Sequence, residues 1–92
     1  MLHFFRISGN SLYPLYKDGQ RVVCRKVFQN TKIKVNDTIV FEKENYGIMI
    51  KQVISVDQNN YFVEGTDPMS IDSRNFGSLK LDEIKYKVLF KF

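Results

Sequence analysis

Residues 48–64 read IMIKQVISVDQNNYFVE. Two apolar, β-branched runs, Ile48 to Val56 and Tyr61 to Glu64, flank the polar Asp57 to Asn60, which is the pattern of two strands joined by a turn. The same punctuation recurs in both directions. Strands are expected near Leu2 to Ile7, Arg21 to Val27, Asp37 to Glu42 and Ile84 to Phe90. Turns rich in Gly, Asn and Asp fall at Lys17 to Gln20, Val35 to Asp37, Glu44 to Gly47 and Gly65 to Pro68. These intervals are too close for typical helices; Ser11 to Lys17 offers at most one helical turn after Asn10, limited by Pro14. The fold class is therefore all-β. Six short strands hide their edges best by curling, so a small curled antiparallel sheet or a partly open β-barrel is expected.

A chain of 92 residues makes one domain, residues 1–92. Its 43% apolar and 26% charged residues exclude disorder, collagen-like repeats and coiled coil. Eight Phe and five Tyr are expected to supply the core. Stacking of bases on strand aromatics is the lesser alternative, and no nucleic-acid partner is expected. Fourteen basic against ten acidic residues give +4, but the basic residues are scattered and read as a solvated surface. No apolar run reaches the roughly 20 residues of a spanning helix, and Met1 to Ser8 lacks the flanks of a signal peptide. The expected location is cytoplasmic or peripheral to a membrane, with no transmembrane segment. A lone Cys24 cannot form an internal disulfide and points to a reducing compartment. A lone His3 supports neither a zinc set nor a Ser/His/Asp triad, and Asp67 and Asp72 lack calcium-loop spacing. No metal or other cofactor is expected.

Three segments carry candidate chemistry. In Ile7 to Pro14 (ISGNSLYP) the chain changes direction at Ser11, and Gly9 permits the unusual backbone angle and close approach that an exposed nucleophile needs. Alone, such a serine is ordinarily a turn or cap residue. In Ile48 to Val56, Lys51 interrupts an apolar run. On the solvent face it would snorkel; on the inner face burial would depress its pKa and leave an amine able to take a proton from a serine. Periodicity leaves both open. Val63 to Leu79 (VEGTDPMSIDSRNFGSL) is dense in polar groups that must satisfy one another, and Asp72 with Arg74 is a candidate charge-assisted pair pinning the loop.

In this order the three segments resemble the boxes of the type I signal peptidase family of Ser/Lys proteases. Ser11-Leu12-Tyr13-Pro14 after Gly9 resembles the Gly-x-Ser-Met-x-Pro box, with Leu12 where methionine is usual. Lys17 to Val22 resembles the following Asp-Gly-Asp-x-Val turn, with Gln20 in place of an acid. Lys51-Gln52-Val53 resembles the Lys-Arg-Val box, and Gly65-Thr66-Asp67 with Ser70 to Gly77 resembles the Gly-Asp-Asn and Ser-x-Asp-Ser-Arg-x-Phe-Gly box. The resemblance runs from about residue 6 to residue 88. It implies a signal peptidase/LexA-like catalytic core in which Ser11 is the nucleophile and Lys51 the general base. Gly9, Ser70, Asp72 and Arg74 then support them, Ser70 by orienting Lys51 and the Ser11 amide by serving the oxyanion hole. In the family a salt-bridge set includes the arginine after the base, which Gln52 removes here.

The resemblance further implies a serine endopeptidase that removes a leader or pro-segment. Its partner would be a protein substrate with small residues one and three before the cut, lying extended along an edge near Ile7 to Gly9 or Tyr46 to Ile50. Lacking an anchor, the chain is similar to the small maturation proteases of the clan, including the nickel superoxide dismutase maturation type. Leu12, Tyr13, Leu15 and Tyr16 with Phe4 and Phe5 form either an apolar rim for peripheral membrane contact or part of the core. Two other readings are a non-catalytic peptide-binding β-domain that kept the fold, and a LexA-type self-cleaving domain. The latter kind usually lacks the Asp-Ser-Arg-x-Phe-Gly box, and no obvious Ala-Gly self-cleavage site is present.

Overall fold

A computed structural model of the chain describes residues 2–67 and 69–92. Strands β1 (Leu2–Arg6), β2 (Arg21–Lys26), β3 (Thr38–Lys43), β4 (Gly47–Asp57), β5 (Asn60–Glu64) and β6 (Ile84–Lys91) follow the expected runs closely. A four-residue helix α1 (Ser73–Phe76) and a 3-10 turn (Leu81–Glu83) lie between β5 and β6. The turn expected at Gly65 to Pro68 ends on Pro68, which lies outside the described residues.

All pairings are antiparallel, in the order β1-β2-β6-β3-β4-β5. The sheet stays open, with β1 and β5 as its edges, so of the two expected forms the curled sheet is the one observed. Register breaks at Val23/Cys24, Val40/Phe41 and Val53/Ser55 supply local bends and extra twist. Because β5 pairs only from Gln52 onward, no strand among the described residues pairs with the corresponding edge of β4 from Gly47 to Lys51.

β3 is buried from Thr38 through Phe41 because it has core on both faces. Ile39 and Phe41 join Val53, Val63, Leu79 and Ile84 on one face, while Val40 joins Ile7, Val22 and Cys24 on the other. Burial at this second core pushes the Cys24 thiol up to about 11. The first face is unevenly clothed. Phe76, Leu79 and Leu81, from the segment after β5, cover its β3-β4-β5 part. Across β1-β2-β6 it is more open: Val23 is buried between Phe4 and Phe90, but Leu2, Phe4, Phe90 and Phe92 are each more than half exposed.

That arrangement corrects the expectation that the aromatics supply the core. Among them only Phe41 and Tyr61 are buried, Phe41 completely, and Val, Ile and Leu make most of the core. A sheet that does not close leaves the aromatics of its outer half with little over them. The apolar rim expected around Ser11 is likewise divided. Leu12 is 1% exposed and belongs inside; Tyr16 packs on the second core; Phe4, Tyr13 and Leu15 remain exposed. Ser11 to Lys17 forms turns, with a single helical hydrogen bond from Tyr16 N to Leu12 O at 3.1 Å. No helix among the described residues is long and apolar enough to cross a membrane.

Candidate active site

The connection from β1 to β2 carries Ser11. Its base is closed by Ile7 N donating to Gln20 O and Gly19 N donating to Ile7 O, both 2.7 Å. Gly9, at φ +88°, donates its N–H to Asp18 Oδ1 at 2.8 Å. Buried Leu12 anchors the turn from inside, and Ser11 is half-buried beside it. Among the described residues nothing accepts from the Ser11 N–H. An amide left free next to a serine hydroxyl is the donor that a developing oxyanion requires.

Lys51 sits on β4 opposite Ile39, and only 5% of it is exposed. The inner-face alternative is therefore the one observed. Burial pushes its amine down; the charges of Asp72 and Asp67 pull the other way, and that of Arg74 pushes down further. The net effect is a lowered pKa. Sequence neighbours offer Lys51 no carboxylate, so its acidic surroundings come wholly from the folded loop after β5.

That loop is organised around Asp72, which is fully buried. Its carboxylate accepts from Gly65 N (3.0 Å), Ser70 Oγ (2.9 Å), Arg74 N (3.0 Å), Arg74 Nε (2.9 Å) and Arg74 Nη2 (2.7 Å). Burial alone would raise its pKa, but the Arg74 fork and these further donors hold it well below the usual carboxylate range. Asp72 is also the N-cap of α1, and Asn75 Oδ1 accepts from its N–H at 3.1 Å. The helix exists because Asp72-x-x-Asn75 forms a capping box; at four residues it is too short to show helical periodicity. Ser73 Oγ then accepts from Val63 N at 2.8 Å, tying the loop to β5.

The loop also reaches the nucleophile turn. Thr66 N and Asp67 N donate to Ser11 O at 2.6 and 3.3 Å. A Cβ on Gly65 would stand 2.5 Å from Ser11 O and 2.6 Å from Ser70 Oγ, so only glycine permits this approach. Gly65 and Thr66 thus make the contact between this loop and the Ser11 turn, which residue-by-residue reading passed over. Their signal was the Gly-Thr-Asp triplet just past a strand, whose purpose becomes visible only across a tertiary contact.

Ser11 and Lys51 both line a groove of about 280 Å³, walled by Phe5, Ile7, Val40 and Ile50. A larger cavity of about 840 Å³, near Lys26, Phe28, Lys80 and Tyr86, holds none of the expected site residues. Residues 1–82 match the family model described as Peptidase S24-like. The chain belongs to that family. No curated protein matches it significantly. The family match agrees with the wider signal peptidase/LexA-like grouping indicated by the motifs, and it marks the S24-like chain as peptidase-like at family level. Of the expected residues, Asp72, Arg74 and Ser70 form one hydrogen-bonded cluster, Ser11 and Lys51 share the groove, and Gly9 shapes the turn beneath Ser11. Among the described residues no hydrogen bond joins Lys51 Nζ to Ser11 Oγ or to Ser70, whose proton goes to Asp72.

Proposed function

We propose that this S24-like chain is a serine endopeptidase in which Ser11 is the nucleophile and Lys51 the general base. The observation that supports it best is a nearly buried lysine of lowered pKa lining the same groove as a half-buried serine with a free amide. A neutral Lys51 amine takes the Ser11 proton as Oγ bonds to the scissile carbonyl, and the Ser11 N–H receives the oxyanion. The lysine ammonium then gives its proton to the departing amine as the C–N bond breaks. Lys51 next deprotonates a water that attacks the ester, releasing the acid product and restoring Ser11.

The substrate on this reading is an extended segment with small residues one and three before the cut, paired along the open edge of β4 from Gly47 to Lys51. Removal of a leader or pro-segment in protein maturation is the corresponding role. The test is cleavage of a peptide with Ala at both positions, followed by mass spectrometry. Ser11→Ala should lower turnover by about four orders of magnitude or more at an unchanged melting temperature. A folded Ser11→Ala chain that still cleaves removes Ser11 from the mechanism.

The S24-like match favours one second reading, cleavage of the chain by itself in the LexA manner. Its signature is a concentration-independent loss of intact mass at alkaline pH, absent in Lys51→Met.

A further inference from the structure

The nucleophile turn is held at two points of different kinds. Upstream, Asp18 holds Gly9, a contact internal to the β1–β2 connection. Downstream, the hold comes from the loop after β5, which also carries Ser70 and Asp72. Only the downstream hold fixes Ser11 relative to that loop, whose charges act on Lys51.

Ser11 O already accepts from the amides of Thr66 and Asp67, which is enough for its two lone pairs. The Thr66 hydroxyl nevertheless points at the same place, with Oγ1 3.1 Å from Ser11 O and within hydrogen-bond range of Tyr13 O. Among the described residues no other donor reaches Tyr13 O. A hydroxyl has one proton, and with Ser11 O provided for, Tyr13 O is where it is needed.

We infer that Thr66 is a positioning residue for Ser11: its backbone and hydroxyl grip the carbonyls of Ser11 and Tyr13 and thereby set the serine's aim into the groove. The inference rests on the endopeptidase reading and deepens it. Thr66 touches neither substrate nor proton in this scheme. It acts by restricting the turn, and a misplacement of about 1 Å at a reacting group costs on the order of a hundredfold in rate.

The experiment uses the whole chain with Thr66→Val, which keeps the shape and the N–H but removes the hydroxyl, and Thr66→Ser, which restores it. Thr66→Val should lower kcat about tenfold to a hundredfold with KM within about twofold. The alkaline midpoint of the pH profile should stay in place, because the surroundings of Lys51 are untouched. Thr66→Ser should recover most of the rate. The Tyr13 carbonyl carbon shift should change in Thr66→Val and return in Thr66→Ser. Retained kcat in Thr66→Val overturns the inference, as does a loss that follows melting temperature and is not rescued by serine. A wild-type chain that cleaves nothing defeats the endopeptidase reading instead. An unchanged Tyr13 shift in Thr66→Val would then still overturn the hydroxyl grip on its own evidence.

Discussion

The two halves of the sheet carry the two members of the proposed pair on very different supports. Lys51 belongs to the β3-β4-β5 half, where one face lies under α1, Leu79 and the Asp72 cluster. Ser11 belongs to the β1–β2 half, whose corresponding face leaves Leu2 and Phe4 largely bare. The contrast follows from what each group needs. The lowered pKa of Lys51 comes chiefly from burial, and keeping water from it takes layers of packed structure. A nucleophile must meet a substrate, which takes an accessible turn held by a few well-placed hydrogen bonds.

Substitutions that break the comparison should show stability concentrated on the lysine side. Asp72→Ala should cost about 2–4 kcal/mol, from the loss of the α1 N-cap and from part-buried donors left without their acceptor, seen as a lower midpoint in urea and as lost activity. The same residue sets an acid limit. Its folded pKa is depressed, so its contribution is present above the unfolded value near 4 and is lost as pH falls from there. Acid melts of the wild type and of Asp72→Asn should therefore differ in slope below about pH 4, and parallel curves would relieve Asp72 of this role.

Where the halves meet, Gly65→Ala drives a methyl against Ser11 O and should cost about 2–3 kcal/mol. Fluorescence-monitored unfolding together with peptide turnover checks this; a stable, fully active alanine variant would mean that the two halves separate easily.

The smallest effect has the opposite sign. Lys51→Met should gain about 1 kcal/mol near neutral pH, since a buried amine is replaced by an apolar chain of similar size, while cleavage disappears. Between the lowered folded pKa and the unfolded value near 10.4 the unfolded chain holds a proton that the folded chain lacks. Wild-type stability should thus climb with pH relative to Lys51→Met until the difference closes. Wild-type activity should rise through one alkaline ionisation. A destabilised Met variant or a flat activity profile would show Lys51 to be ion-paired and unsuited to accept a proton.

The strands were legible because alternation and turn residues are local. Ile48 to Glu64 displays its two strands and their turn without outside help. Which face Lys51 takes was not legible from Ile50 and Gln52, since the groups that act on it there, Asp67, Asp72 and Arg74, come from a loop about 20 residues away. The openness of the sheet was equally hidden, because Phe4 and Phe90 read as core residues in any strand. The capping box of α1 was visible in principle as Asp72-x-x-Asn75, but it was obscured by a motif in which the same residues suggested chemistry. The grip of Thr66 on Ser11 joins positions 55 apart and is beyond any local pattern.

The last strand in sequence is central in space. β6 pairs with β2 on one side and β3 on the other, so it is the seam between the hairpin that bears Ser11 and the meander that bears Lys51. Each of those units pairs strands that are near in sequence, whereas β6 joins them by pairings of high sequence separation, which form slowly. On the proposed reading the serine and the lysine owe their mutual placement to this joint and to the Gly65–Thr66 contact, so a substitution that loosens β6 should separate the pair while each unit keeps its own strand pairing.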